Sequence, residues 1–139
     1  TILMPCPRID VILVGGTLRR SDGGIVGETA VDTIKQFKVD YGIIGASAID
    51  DDGSLLDFDF REVRASQAIL GNSRNVMLVA DSMKFTRSAP VRIAHISETD
   101  VFVTDREPPE SVADACRHGG VRVEVVGAPD EQASLDAAE

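Results

Sequence analysis

The chain has 139 residues, of which 43% are hydrophobic and 27% are charged, a composition typical of one globular domain or of part of a larger one. It carries 14 Lys and Arg against 23 Asp and Glu, a formal net charge of −9. This acidity argues against a bulk electrostatic contact between the segment and nucleic acid. No apolar run approaches the roughly 20 residues that a membrane-spanning helix needs, so we expect no membrane contact.

The residues that most often bind metals are few and isolated. Cys6 and Cys116 lie far apart in the sequence, as do His95 and His118. A metal site needs about three or four converging ligands, and two isolated cysteines are typical of a reducing cytoplasm. We therefore expect a cytoplasmic protein without a metal ion or a cofactor.

Five short apolar runs predict the strands of a mainly parallel α/β sheet. They are Val11–Val14, Tyr41–Gly45, Val76–Ala80, Val101–Val103 and Val121–Val126. Continuous apolar runs of this length are typical of strands that helices cover on both faces. The last run is interrupted by charged residues at alternate positions, which predicts an edge strand.

Helical periodicity predicts three helices between these strands, Glu28–Lys38, Phe60–Ser73 and Pro109–His118. This order favours an α/β fold with right-handed crossovers. Residues Pro90–Ile96 are predicted to form a short extra strand or a turn. Residues 127–139 contain four acids and no base, so we expect a disordered acidic tail after a domain of residues 1–126.

Polar loops follow three of the predicted strands, at residues 15–20, 47–59 and 81–84. The carboxyl ends of parallel strands meet at one edge of a sheet, so these loops are expected to converge there. In the first loop, Gly16 and Thr17 could approach a phosphate with help from Arg19. The spacing matches neither common nucleotide-binding motif, and a plain tight turn is the alternative.

The second loop is rich in aspartate. Asp57 and Asp59 alternate with apolar residues, which points both carboxylates to one side. Asp50 begins a run of three aspartates and is a candidate for binding a ligand. The alternative is that the run forms only a solvated turn at Asp52–Gly53. Asp59 and Glu62 have the spacing of a helix capping box, and a helix start at a sheet edge also offers amides to an anion.

The third loop places Lys84 three residues after Asp81, where the lysine could reach a phosphate or simply form a surface ion pair. Residues 61–92 hold six bases and two acids, whereas the segment before them is acidic. Cations bind phosphate, and carboxylates accept hydrogen bonds from hydroxyls. The pattern therefore suits a ligand with a phosphate at one end and hydroxyls at the other.

Five stretches, taken in order, carry a resemblance to a known family. They are Val11–Arg19, Ile25–Gly27, Gly53–Asp57, Val79–Phe85 and Val103–Asp105. Together they resemble the effector-binding domain of DeoR-family transcriptional repressors, and most of all the glycerol-3-phosphate regulon repressor branch. The resemblance runs from about Asp10 to Val126. It implies a Rossmann-like sensing domain, similar to ribose-5-phosphate isomerase and truncated at its N-terminal side.

The resemblance also implies partners. They are a small phosphorylated sugar or polyol, with glycerol 3-phosphate favoured, and operator DNA bound through an N-terminal helix-turn-helix that this chain lacks. A homo-oligomer is expected as well. The residues that we expect to bind the effector are Gly16, Thr17, Arg19, Ser47, Asp50, Asp57, Arg61, Glu62, Asp81 and Lys84.

Comparison with the related isomerases argues against catalysis. Gly45–Asp50 lacks two of the three acids of the isomerase pattern, and Leu55–Phe60 lacks its lysine and glycines. Arg61–Glu62 matches the pair that supplies the isomerase base, and Ala80–Lys84 matches its lysine loop. Isomerisation needs a base together with groups that stabilise the enediolate, so we expect no enzyme. An isomerase-like enzyme and an oligomerisation domain with a vestigial pocket are the alternatives.

Overall fold

The computed structural model describes residues 3–127. The predicted acidic tail therefore lies outside the described residues, except for Gly127. The described strands are β1 (Thr17–Leu18), β2 (Ile25–Val26), β3 (Val39–Ile44), β4 (Ala48–Ile49), β5 (Ser54–Asp57), β6 (Ser73–Val79), β7 (Val91–His95), β8 (Val101–Thr104) and β9 (Arg122–Val125). The helices are α1 (Glu28–Ile34), α2 (Phe60–Gly71) and α3 (Glu110–Gly119), with 3-10 helices at Ser82–Thr86 and Ile96–Glu98.

A parallel sheet with the strand order β3-β6-β8-β9 forms the centre of the fold. All three neighbouring pairs are parallel, which confirms the prediction of a mainly parallel α/β fold. The alternating run at β9 forms an edge strand, as its sequence predicts. The two ends of each strand lie within a few residues of the two ends of the apolar run that predicts it.

The prediction of a strand at Val11–Val14 is wrong. These residues adopt no regular secondary structure, and Ile12 and Leu13 are 70% and 80% exposed. Ile12 and Val14 instead line a groove beside β3 without pairing with it. An apolar run shows that a segment suits a sheet, but the strand forms only where another strand offers it backbone hydrogen bonds.

A second, smaller sheet is antiparallel and has the order β4-β5-β7. Its third strand, β7, lies within Pro90–Ile96, for which the sequence predicted a short strand or a turn. The prediction of a strand is confirmed. The hairpin of β4 and β5 turns at Asp50–Gly53, where Gly53 has a φ of +85°. Glycine adopts this conformation without the strain that a Cβ would bring.

The helices follow the sequence prediction, with differences at their ends. α1 begins at Glu28 as predicted but ends at Ile34, four residues early. α2 begins at Phe60, with Asp59 as its N-cap. α3 ends where Gly120 takes a left-handed conformation with a φ of +69°, a common helix stop.

One face of the parallel sheet carries the core. Ile44, Leu78 and Phe102 point to this face and are at most 4% exposed, and they pack with Val63 of α2 and Val112 of α3. The two helices and the smaller sheet therefore share one hydrophobic core. No helix within residues 3–127 is long and apolar enough to cross a membrane.

The opposite face of the sheet is open among the described residues. Tyr41, Ile43 and Val79 lie on it and are 70%, 63% and 47% exposed. The expectation of helices on both faces is therefore not met by residues 3–127. Apolarity on both sides of a strand is visible in the sequence, but the element that covers each side is not.

We predict that this open face makes the 139-residue chain self-associate. An apolar surface of this kind is rare on a monomer, because covering it removes apolar area from water. Sedimentation equilibrium should show dimers or larger species, and Ile43→Lys should shift them towards monomer. Leu13→Lys, at an exposed apolar residue outside the face, is the control. A wild-type chain that stays monomeric at high concentration would contradict the prediction.

Candidate functional site

The carboxyl ends of the parallel strands form the edge at which the predicted site residues Ser47, Asp81 and Lys84 lie. β3 leads into Ser47, the neighbouring β6 leads into Asp81, and β8 leads into Asp105. Because these three strands are parallel neighbours, the three loops leave the sheet on the same side. We call this edge of the sheet the rim.

Asp57 fixes the chain where β5 turns into α2. It is 6% exposed, and its Oδ2 accepts a hydrogen bond from the Ser47 hydroxyl at 3.0 Å. Its Oδ1 accepts from the amides of Phe58, at 2.7 Å, and Asp59, at 3.3 Å. Asp57 and Ser47 are thus brought together, and both carboxylate oxygens have protein partners.

Asp59 caps α2 and carries an ion pair. Its Oδ1 accepts from the Arg61 amide at 2.9 Å, and its Oδ2 lies 3.1 Å from Nη2 of Arg61. The side-chain hydrogen bond from Arg61, with that from its backbone amide, lowers the pKa of Asp59 to about 2. The structure confirms Asp59 as the N-cap, but the predicted capping box does not form. Asp59 accepts from the amide of Arg61 and not from that of Glu62, and the Glu62 side chain pairs with Arg19 instead of the cap amide.

Arg19 crosses from the β1–β2 hairpin to α2. Its guanidinium contacts Asp22 within the hairpin, and Asp59 and Glu62 at the start of the helix. The hydrogen bonds to Asp22 and then Glu62 raise its pKa further above the range in which it could lose its proton. The side chain of Arg19 is 15% exposed and that of Glu62 is 37% exposed. We call these four residues the Arg19 cluster.

Lys84 lies on the loop after β6. Its Nζ is 3.7 Å from Oδ2 of Asp81, which also caps the 3-10 helix by accepting from the Met83 amide at 2.9 Å. The side chain of Lys84 is 22% exposed. Asp105 accepts from the Ser82 amide at 2.7 Å, a bond that lowers the pKa of Asp105 and ties the β8 loop to the β6 loop.

Three predicted site residues stand apart from these contacts. Gly16 has a φ of +152°, and a Cβ there would lie 2.8 Å from the backbone oxygen of Val26, so it allows a close approach of two chain segments. Thr17 is exposed on β1. Asp50 lies in the hairpin turn, at the end of the hairpin opposite Ser47, and is not brought to the rim.

Two rim residues were not among the predicted site residues. Asp59 was singled out for its cap, and Asp105 was part of a family stretch only. The signal that could have found Asp105 is its position directly after a predicted strand, the same argument that selected Asp81.

An apolar groove lies elsewhere on the described residues. It has a volume of about 360 Å³, is lined mainly by apolar side chains such as Ile34, Phe37 and Tyr41, and follows the outer side of β3. No charged residue lines it, so it offers a phosphate no cation. Residues 3–127 also hold no group of three or more His, Cys, Asp or Glu side chains that could hold a metal ion.

We predict a contribution of Asp59 to acid stability. Its pKa of about 2 lies below the value of roughly 3.9 of an unfolded aspartate. The stabilisation is therefore complete above about pH 4 and is lost as the pH falls towards 2. Melting temperatures at pH 5, 4, 3 and 2 should fall less steeply for Asp59→Asn, which keeps a capping oxygen without the charge. Equal slopes for the two proteins would contradict this.

Comparison with known proteins places these residues in a family context. The glycerol-3-phosphate regulon repressor of Escherichia coli is 50% identical over 115 residues, which cover 83% of this chain and 46% of that protein. The repressor of the same name from Haemophilus influenzae is 50% identical over 99 residues, 71% of this chain and 38% of that protein. The HTH-type transcriptional repressor CsqR of E. coli is 36% identical over 111 residues, which cover 80% of this chain and 42% of that protein.

The chain thus spans less than half the length of these relatives. The family described as DeoR C terminal sensor domain matches residues 1–106, which include the Arg19 cluster, the loops after β3 and β6, and Asp105. This chain belongs to the family of DeoR C-terminal sensor domains.

Proposed function

We propose that this chain is the effector-binding part of a transcriptional repressor that senses a small phosphorylated sugar or polyol, with glycerol 3-phosphate favoured. The observation that supports the proposal is that the loop carrying Lys84 leaves the sheet at the same edge as Ser47, whose hydroxyl donates to Asp57 at the turn into α2. Effector binding would lower the affinity for operator DNA, which is bound by a module outside this chain.

The polar groups at the rim suit the two ends of such a ligand. Around the Arg19 cluster, carboxylates outnumber cations, so this side suits hydroxyls that donate hydrogen bonds. The Lys84 ammonium lies in the loop after β6, five residues beyond the end of the strand, and suits the phosphate.

The start of α2 is less suited to the phosphate than its sequence suggests. Asp57 and Asp59 already accept from the amides of Phe58, Asp59 and Arg61. A phosphate there would have to displace two carboxylates and would meet their negative charge. This leaves Lys84 as the rim residue to which we assign the phosphate.

A regulator is favoured over the alternative of an isomerase-like enzyme. The relatives described above are named as repressors. In addition Glu62, the residue at the isomerase base position, is paired with Arg19. Gly45–Asp50 and Leu55–Phe60 also lack residues of the isomerase pattern, whereas isomerisation needs groups that stabilise the enediolate besides a base.

Calorimetric titration of the chain with glycerol 3-phosphate tests the proposal. We expect saturable binding that glycerol alone and inorganic phosphate alone reproduce only weakly, since each offers one half of the contacts. In a repressor that also carries its DNA-binding module, the same ligand should weaken operator binding. Absence of heat and of any change in operator affinity would favour an oligomerisation domain. Turnover of aldose phosphates that Glu62→Gln abolishes would favour an enzyme.

A further inference from the structure

The side chain of Arg19 links the β1–β2 hairpin to the start of α2. It bonds to Asp59 and Glu62, which lie 40 and 43 positions further along the chain. Both residues of β1 are exposed, and β1 pairs only with β2 among the described strands. The side chain of Arg19 therefore contributes a tertiary contact that the backbone of β1 does not make.

The hydrogen bonds of Arg19 leave little for a ligand. Its Nε donates to Asp22 at 2.9 Å, and Nη2 donates to the other oxygen of the same carboxylate. Its Nη1 donates to Asp59 at 3.4 Å and to Oε2 of Glu62. These four contacts use four of the five N–H donors of a guanidinium. Three carboxylates around one cation also leave no net positive charge to attract a phosphate.

Glu62 is in the opposite situation. Only its Oε2 has a hydrogen-bond partner among the contacts of the described residues, and the side chain is 37% exposed. A carboxylate oxygen has lone pairs for further donors, so Oε1 can accept from a hydroxyl while Oε2 stays with Arg19. The guanidinium holds the glutamate side chain in one orientation and so reduces the conformational entropy that ligand binding would otherwise cost.

We infer that Arg19 is a positioning residue that acts through Glu62, and that the hydroxyl end of the ligand is recognised by Glu62 while Arg19 does not touch the ligand. This inference rests on the proposed function, because it concerns the same site. It differs from the expectation that Arg19 assists phosphate binding at the Gly16–Thr17 turn.

A double-mutant cycle on glycerol 3-phosphate affinity separates the two roles, because residues that act through one another are not additive. By calorimetry on the 139-residue chain, Glu62→Gln should weaken binding by about tenfold to a hundredfold. Arg19→Met should weaken it by up to the same factor. The double variant should bind no more weakly than Glu62→Gln alone, and Arg19→Lys should restore part of the affinity.

The matched control is Arg64→Met. Arg64 is also on α2 and forms a cross-element ion pair, with Glu28 of α1 at 3.3 Å, so it should leave the affinity unchanged. Inorganic phosphate, the second probe, should bind wild type and Arg19→Met equally. If Arg19→Met fails to fold by circular dichroism, the cycle is run with Arg19→Lys and Glu62→Gln.

The outcomes distinguish this inference from the proposed function. Losses that add in the double variant, a selective loss of phosphate binding, or unchanged affinity in Arg19→Met would overturn the inference while the proposed function stands. If the wild-type chain binds no glycerol 3-phosphate, the proposed function fails and the inference fails with it.

Discussion

Lys84→Met should weaken the binding of glycerol 3-phosphate by about tenfold to a hundredfold. A hydrogen bond from a charged group is worth about 1.5–3 kcal/mol, and methionine keeps most of the side-chain volume without the ammonium. The side chain of Lys84 is 22% exposed, so the charge is partly shielded from water. Calorimetric titration of the two proteins measures the difference directly.

The folded state should tolerate the same change. The pair of Lys84 with Asp81 is open at 3.7 Å, and partly exposed pairs of this kind contribute about 0–1 kcal/mol. Arg87→Met, which removes a positive charge three residues away, is the matched control and should bind normally. In a repressor with its DNA-binding module, Lys84→Met should keep its operator affinity but respond poorly to effector.

Normal binding by Lys84→Met would mean that Lys84 serves only as the ion-pair partner of Asp81. The proposed phosphate position would then be wrong, although the assignment of the hydroxyl end to Glu62 would be unaffected. The double-mutant cycle on Arg19 and Glu62 is therefore informative whichever result Lys84 gives.

Local signals in the sequence predicted the elements that local forces determine. The alternating charges of β9, the cap at Asp59 and the stop at Gly120 are all readable from a few neighbouring residues. The failure at Val11–Val14 has a different origin. Whether an apolar run becomes a strand depends on a partner strand, and no local pattern specifies that partner.

The arrangement of the candidate site was predictable to a similar degree. The rule that ligand residues follow parallel strands selected Ser47 and Asp81, and both lie at the rim. It also selected Asp50, three residues after Ser47, but the β4–β5 hairpin carries Asp50 away from the rim. The capping-box spacing suggested a local partner for Glu62, whereas its partner is Arg19, 43 positions earlier. Long-range charge pairs of this kind leave no periodicity in a single sequence.

Asp57→Ala should destabilise the fold by about 2–4 kcal/mol. The buried carboxylate accepts from the Ser47 hydroxyl and from two backbone amides, and its loss leaves these donors without partners. A hydrogen bond to a charged group contributes about 1.5–3 kcal/mol, and unsatisfied buried donors add to the cost. Urea unfolding of the purified chain measures the change in the free energy of unfolding.

Two neighbouring variants apportion that cost. Asp57→Asn keeps the shape and an oxygen for the amides, and its amide group can donate to Ser47, so its loss should be about 1 kcal/mol or less. Ser47→Ala removes one donor and should cost about 1 kcal/mol. If Asp57→Ala were as stable as wild type, the carboxylate would not hold the turn into α2. Asp57 would then act in ligand binding and not in stability, and its burial against Ser47 would need another explanation.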